Sequence, residues 1–224
     1  LTPSAGTYTG ISGYATITGN FKQAKNIITV GHIDSFYNVL APSSKGPAFD
    51  GRIKPELVAF GEDGSSGAAA LVSGIALTLQ QAYQQKSGSL PPASLTKAVL
   101  LNSADDVGAT GIDFASGYGN ANGYKAMQTI LNGRLMNGSV ASNTTQTFNI
   151  TIPAGIKQLK ITLAWTDPAA LPNTNKALIN DLDLLLEQNT GGQTWQPWVL
   201  STFPHKDSIE KAAVRKKDTL NTVE

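Results

Sequence analysis

The sequence predicts an α/β domain followed by an all-β domain, and three observations carry that prediction. Two short apolar runs, in "NIITVGHID" (26–34) and "ELVAF" (56–60), have the length of strands buried on both faces. A helical period follows the second run at once, through Leu71, Val72, Ile75, Leu79 and Ala82. Beyond about residue 146 the period becomes two: Phe148, Ile150 and Ile152, then Leu159, Ile161, Leu163 and Trp165, fall on one side of their segments.

The elements follow in order. The first strand is expected at Ile27 to Val30, ended by Gly31. "APSSKGPAFDGRIKP" (41–55) is rich in Pro, Gly and Ser and reads as a long loop, with Gly51 and Arg52 in structural roles. The second strand, "ELVAF", leads into a helix from Ser66 to about Lys86 that "SGSLPP" stops. A second helix is expected in "PASLTKAVLLNSADD", with Ser94 as N-cap before Leu95, Ala98, Val99 and Leu101. A third short helix runs through "YKAMQTIL". "NGSVASNTTQ" (137–146) is a polar linker, which divides the chain into domains 1–138 and 146–224. After it, alternation broken by Gly, Asn and Pro, with no helical run, predicts an antiparallel β-sandwich that also takes in "DLDLLLEQ" and "TWQPWVL". Its last residues supply no closing strand, so a truncated sandwich with an exposed apolar edge is expected.

Composition narrows the function. With 41% hydrophobic and 15% charged residues, the chain suits a globular fold with a polar surface. A net charge of +1 gives no basis for binding nucleic acid or an anionic membrane. No stretch is long and apolar enough for a membrane segment. The absence of cysteine excludes thiol catalysis, disulfides and thiolate-bound zinc, and is compatible with export. The two histidines, His32 and His205, lie far apart and outside any zinc-hydrolase spacing.

The stretch "GEDGSSGAAALVSG" (61–74) poses the functional question. A serine ahead of a helix often does no more than cap it. A serine at a strand–turn–helix junction is also well placed as a nucleophile, because the helix dipole and free first-turn N–H groups stabilise a developing oxyanion. The small residues Gly67, Ala68, Ala69 and Ala70 let such a helix pack close behind it. Gly64-x-Ser66-x-Ala68 is near the nucleophile-elbow pattern of α/β-hydrolases, and Ser66, Asp181 or Asp183, then His205 would give its chain order. That fold requires alternating strands and helices after the elbow, where this chain turns to β structure.

The order of blocks points elsewhere. "NIITVGHID", "KGPAFDGRIKPELVAFG", "DGSSGAAALVSG", "LTKAVLLNSADD" and "GYGNANGYKAM" together resemble the C-terminal half of a subtilisin-like serine peptidase domain. "LAWTDP" and "INDLDLLL" resemble phrases of the sandwich that follows that domain in some secreted members. The resemblance implies a partial parallel-sheet, three-layer domain followed by a jelly-roll-like sandwich. It also implies peptide hydrolysis with Ser66 as nucleophile, Gly64 and Ser65 as turn and oxyanion support, a polypeptide substrate, and a secreted or cell-envelope location. Gly67, Ala70 and Leu71 stand where Met, Pro and His are usual, Phe60 replaces a usual Pro, and the loop before "DGSSG" is short. The family's aspartate, histidine and oxyanion-asparagine blocks are not in this chain. His32 occupies a usual Ala and reads as a strand-end residue. A serine without a base is a poor nucleophile, so the chain alone is expected to be inactive, its catalytic partners coming from an N-terminal half. The alternative is a degenerate, non-catalytic module for binding or surface structure.

No cofactor is required for this chemistry. Asp181 and Asp183, with Asp167 nearby, are carboxylates at strand ends and candidates for structural Ca²⁺, against a plainer role as solvated turn residues. Trp165, Trp195 and Trp198 suit core packing better than a carbohydrate platform. Arg215-Lys216-Lys217 reads as a solvated turn.

Overall fold

The computed structural model describes residues 7–8, 11–17, 20–48, 52–171, 178–195, 197 and 220–223. Gly51, Trp198, His205 and the basic run 215–217 lie outside them. Near the start, β1 (Thr7–Tyr8) and β2 (Ile11–Ser12) form a short antiparallel pair, and a 3-10 turn follows at Asn20–Gln23. The centre of the fold is a parallel pair, β3 (Val30–Ile33) and β4 (Leu57–Phe60), in the register Val30↔Leu57 to Ile33↔Phe60. On the other edge of β4, Val58 exchanges backbone bonds with Gly119 and Ala121, and Asn120 pairs in turn with Asp105. Leu57, Val58 and Ala59 are fully buried, as an apolar run covered on both faces must be.

The first strand lies three residues later than the sequence pattern suggests. Gly31 does not end it but sits inside it, because a Cβ there would lie 2.7 Å from Ser43 Oγ and 3.2 Å from Val58. Its glycine reflects close approach rather than a chain break.

Of the three helices, α1 (Ser65–Ser87) packs directly on this pair, and the other two, α2 (Ala93–Asn102) and α3 (Gly123–Leu131), pack against α1 and meet each other. Ala68, Val72 and Leu79 supply the buried face of α1, with Ile75 and Ala82 packed beside them. Leu71 departs from its expected place: it is exposed, as is Leu77, because no described residues cover the face of α1 turned away from the sheet. Helix α2 begins one residue before Ser94. Pro92 takes the N-cap position, and its carbonyl accepts from Leu95 and Thr96 N–H. Leu95, Val99 and Leu101 are buried as the pattern requires, Ala98 is only half-buried, and Leu100, outside the pattern, is buried as well. At α3 the Asn122 side chain caps the helix by accepting from Lys125 N–H at 2.9 Å.

The trailing region differs. Residues 132–160 hold no helix or strand. Phe148, Ile150 and Ile152, expected in a strand, run without ladder partners among the described residues, and Phe148 and Ile152 are exposed. Period-two sequence needs a neighbouring strand before it becomes sheet, and none lies beside this segment among the described residues. Further on, β5 (Ile161–Ala164) pairs antiparallel with β8 (Leu220–Val223), so the last residues do supply a strand, against the expectation from sequence; between them in sequence β6 (Leu186–Glu187) pairs with β7 (Thr194–Trp195).

Strand β5 is held on α2, where Asn102 donates to Lys160 O and Thr162 Oγ1. A second attachment centres on Asp167. Its backbone N–H and C=O pair with the Asn26 side-chain amide at 3.1 and 2.8 Å. Its buried carboxylate accepts from Lys25 Nζ, Ile179 N–H and Asn180 N–H.

Candidate functional site

Ser66 is the second residue of α1, six residues beyond Phe60 at the end of β4. The turn is built by glycine. Gly64, the N-cap, has φ 87° and ψ −155°, a region closed to residues with a side chain. Gly61 is packed so closely that a Cβ would lie 2.1 Å from Gly64 O. Gly64 has no side chain to cap the helix, and the first intrahelical bond is Ala68 N–H to Gly64 O. The N–H groups of Ser65, Ser66 and Gly67 therefore precede the helical ladder, at the positive end of the dipole. Both serines are exposed. The place expected for Ser66, at the head of a long helix after a buried strand, is where it lies.

At Gly67 a Cβ would lie 2.1 Å from Asp63 Oδ1, so a larger residue there would require the exposed Asp63 carboxylate to swing aside.

Among the described residues no hydrogen bond ties Ser66 to a histidine or a carboxylate. His32 lies within β3, opposite Ala59, and its backbone N–H donates to Ser43 Oγ at 3.0 Å. Its ring is buried, with no hydrogen-bond partner for Nδ1. Asp181 and Asp183 are exposed, and among the described residues no group of three or more His, Cys, Asp or Glu side chains converges on a metal position. Trp165 is half-buried and donates to Asn180 O at 3.0 Å.

Beneath β3 and β4 lies a charged network that the sequence reading did not anticipate. Lys54, Glu56 and Lys97 are all buried. Glu56 receives Lys54 Nζ at 2.5 Å, Lys97 Nζ at 3.4 Å and Thr29 N–H at 2.7 Å. Three successive carbonyls of the 3-10 turn and its exit each receive one cation: Gln23 from Arg52, Ala24 from Lys54 and Lys25 from Lys97. Burial pushes the Lys54 ammonium below its ordinary range, against the pull of Glu56. The alternation Arg52, Lys54, Glu56 directly ahead of a fully apolar strand was the available signal, because residues two apart share a face.

A cleft of about 690 Å³ opens among Tyr14, Phe36, Tyr37, Asp105, Asp113 and Ser116, with Ser66 not in its wall. Burial raises the Asp113 carboxyl, although the N–H groups of Ser116 and Ala115 and the Ser116 hydroxyl bond to it. Burial, with the Asp113 charge, raises Tyr14 as well.

The model of the subtilase family matches residues 4–119, more than half of the chain, including α1 and Ser66. The protein described as "Serine protease/ABC transporter B family protein tagA" from Dictyostelium discoideum is 29% identical, over 64% of this chain and 11% of its own length. Among solved structures, a lanthipeptide protease aligns at 22% identity and TM-score 0.42, over 48% of this chain and 44% of that one. The patellamide maturation protease PatA aligns at 26% and 0.40, over 50% and 45%. The chain thus spans about a tenth of the length of the first relative and under half of each solved chain.

Proposed function

The chain belongs to the subtilase family of serine peptidases, and from that premise we propose that it forms the C-terminal half of a catalytic domain in which Ser66 is the nucleophile. The observation that carries this reading is the exposed Ser66 at the uncapped head of α1, directly after buried β4. In this reading the Ser66 hydroxyl attacks the scissile carbonyl of a polypeptide. The Ser66 N–H supplies one oxyanion donor, and Gly64 and Ser65 shape the turn. The base, the acid that orients it and the second oxyanion donor come from an N-terminal half, which also supplies the second helical layer over the sheet. That half is the chain's principal partner.

We further propose a boundary between 137 and 146, a β-sandwich after it, and export to the cell surface or beyond. Among the described residues no helix is long and apolar enough to cross a membrane. Structural Ca²⁺ at Asp181 and Asp183 stays a separate proposal, which the peptidase chemistry does not need.

Fluorophosphonate labelling tests the assignment. The full-length protein is expected to be labelled at Ser66, the Ser66→Ala variant not at all, and the 224-residue chain alone not above background. A folded full-length protein that resists the probe, or takes it elsewhere, would overturn the role of Ser66. Stoichiometric labelling of the isolated chain would show that a base lies within it.

A further inference from the structure

The connector between α3 and β5 carries a motif unrelated to peptide hydrolysis. Asn137-Gly138-Ser139, Asn143-Thr144-Thr145 and Asn149-Ile150-Thr151 are N-x-[ST] triplets, and no other asparagine of the chain heads one. All three fall within fifteen residues, at a spacing of six. Each asparagine is exposed, as is the hydroxyl residue two places on.

The fold distributes them. The connector turns back at residues 141–144, where Thr144 N–H and Oγ1 both bond to Ala141 O, at 3.1 and 2.8 Å. Asn143, with φ 59°, stands at the tip of that turn. The side chains of Gln146 and Phe148 lie against Gly138, so Asn137 and Asn149 flank the closed foot of the loop. Around them Met136, Val140, Phe148 and Ile152 are exposed, an unusual apolar content for a segment without regular structure.

We propose that Asn137, Asn143 and Asn149 are acceptors for N-linked oligosaccharide, and that the sugars shield this connector from proteolysis. The inference rests on the export reading above, since the acceptor reaction belongs to the secretory route. In the transfer, the Asn side-chain nitrogen forms a bond to C1 of the sugar. The C1–O bond of a polyprenyl-pyrophosphate-linked oligosaccharide breaks, the lipid pyrophosphate departs, and the amide proton passes to a base of the transferase. An exposed, extended acceptor suits that reaction. A bulky hydrophilic chain at the tip and foot of the loop covers backbone that a peptidase would otherwise thread into its cleft.

The test uses two forms in a eukaryotic secretory host: the full-length protein as encoded, and the 224-residue chain behind a cleavable secretion leader. Material from the medium is treated with peptide-N-glycosidase in heavy-oxygen water and mapped by mass spectrometry. The expected result is a fall in intact mass with labelled Asp at positions 137, 143 and 149, lost one by one in Asn137→Gln, Asn143→Gln and Asn149→Gln. The triple variant is expected to be nicked faster within 134–160. Leader-directed chain in the medium with three unlabelled asparagines would overturn the proposal, and equal nicking would overturn the shielding role. Retention of the full-length protein in the cytosol would instead count against export, with the leader-directed chain still deciding the acceptor sites.

Discussion

Residues 30–131 and residues 132–197 make opposite use of their apolar side chains. In the first region Leu57, Val58, Leu79, Leu100, Leu101 and Phe114 are sealed around β4 and α1, and even Lys54, Glu56 and Lys97 are inside. In the second, Phe148, Ile152, Ile156, Leu171, Ile179 and Leu185 are exposed, and Leu178 and Asp167 are among the few buried positions. A residue count would not distinguish the two regions. What differs is the supply of partners: the strands and helices of the first region cover one another, while the apolar side of the second faces no second layer among the described residues. Hydrophobic pattern states which side wants cover, and packing depends on whether the cover is present.

The largest effect that tests this contrast comes from the charged centre of the first region. Glu56→Gln leaves the ammonium groups of Lys54 and Lys97 buried without their carboxylate. Breaking such a set from one side costs about 3–5 kcal/mol. Urea denaturation is expected to show that loss, whereas Lys54→Met, which removes a buried charge and leaves Glu56 with Lys97, is expected to cost clearly less. Equal losses would mean that lost packing, rather than a stranded charge, sets the cost.

Next comes the apolar core. Leu79→Ala on the buried face of α1 is expected to lower stability by about 2–5 kcal/mol with no change in denaturant slope. Leu77→Ala, two residues away on the uncovered face, is expected to stay within about 0.5 kcal/mol. Both are read from the same unfolding curves. A large loss at Leu77 would mean that its face is covered in solution by another chain or by a part of the protein outside the described residues.

The same contrast explains what could be read from sequence. Helix α1 was legible because its period and its packing surface lie on one segment: Val72, Ile75, Leu79 and Ala82 meet whatever sheet is nearby. The head of that helix was legible because Gly61 and Gly64 are required by local geometry, whatever the rest of the fold does. Gly31 was misread since its reason, the approach of Ser43 and Val58, comes from residues far along the chain. The buried network was missed for a related cause: charged residues default to the surface, and only the tertiary fold brings Lys97 and three loop carbonyls to Lys54 and Glu56. Strand alternation at 148, 150 and 152 was real as a pattern, but a strand's partner is not written in the strand.

A smaller effect is expected where the two regions join. Burial alone would raise the Asp167 carboxyl, but the bonds from Ile179 N–H, Lys25 and Asn180 N–H more than offset this and hold it below the ordinary range. A carboxyl depressed in the folded state stabilises it above its unfolded value of about 3.9, and that contribution is lost as pH falls through the lower folded value. The attachment should therefore hold at neutral pH and loosen in acid, below about pH 4. Asp167→Asn removes bonds to a charged group, with an expected cost of about 1.5–3 kcal/mol and a flattened acid response. Trp165 emission reports it, because its indole N–H bonds to Asn180 O beside the same carboxylate, with Trp165→Phe as the control. An acid response that persists unchanged in Asp167→Asn would assign the sensitivity to another group.

The smallest expected effect is the most discriminating. Phe148 belongs to the alternating series that predicts the inward face of a sandwich, yet it is exposed, with its ring tip against Gly138. Truncating a covered Phe, as in Phe114→Ala, costs about 3–5 kcal/mol. Truncating one with half its surface in water, away from any cap or network, should change stability by no more than about 0.5 kcal/mol. Phe148→Ala in the 224-residue chain is therefore expected to unfold at the wild-type urea midpoint. The same substitution in the full-length protein then decides between the two accounts of the trailing region. An unchanged midpoint there keeps Phe148 a surface residue of the connector. A loss of about 2 kcal/mol or more would place it in a covered layer, and the sandwich expected from the alternation would exist only when the whole protein is present to complete it.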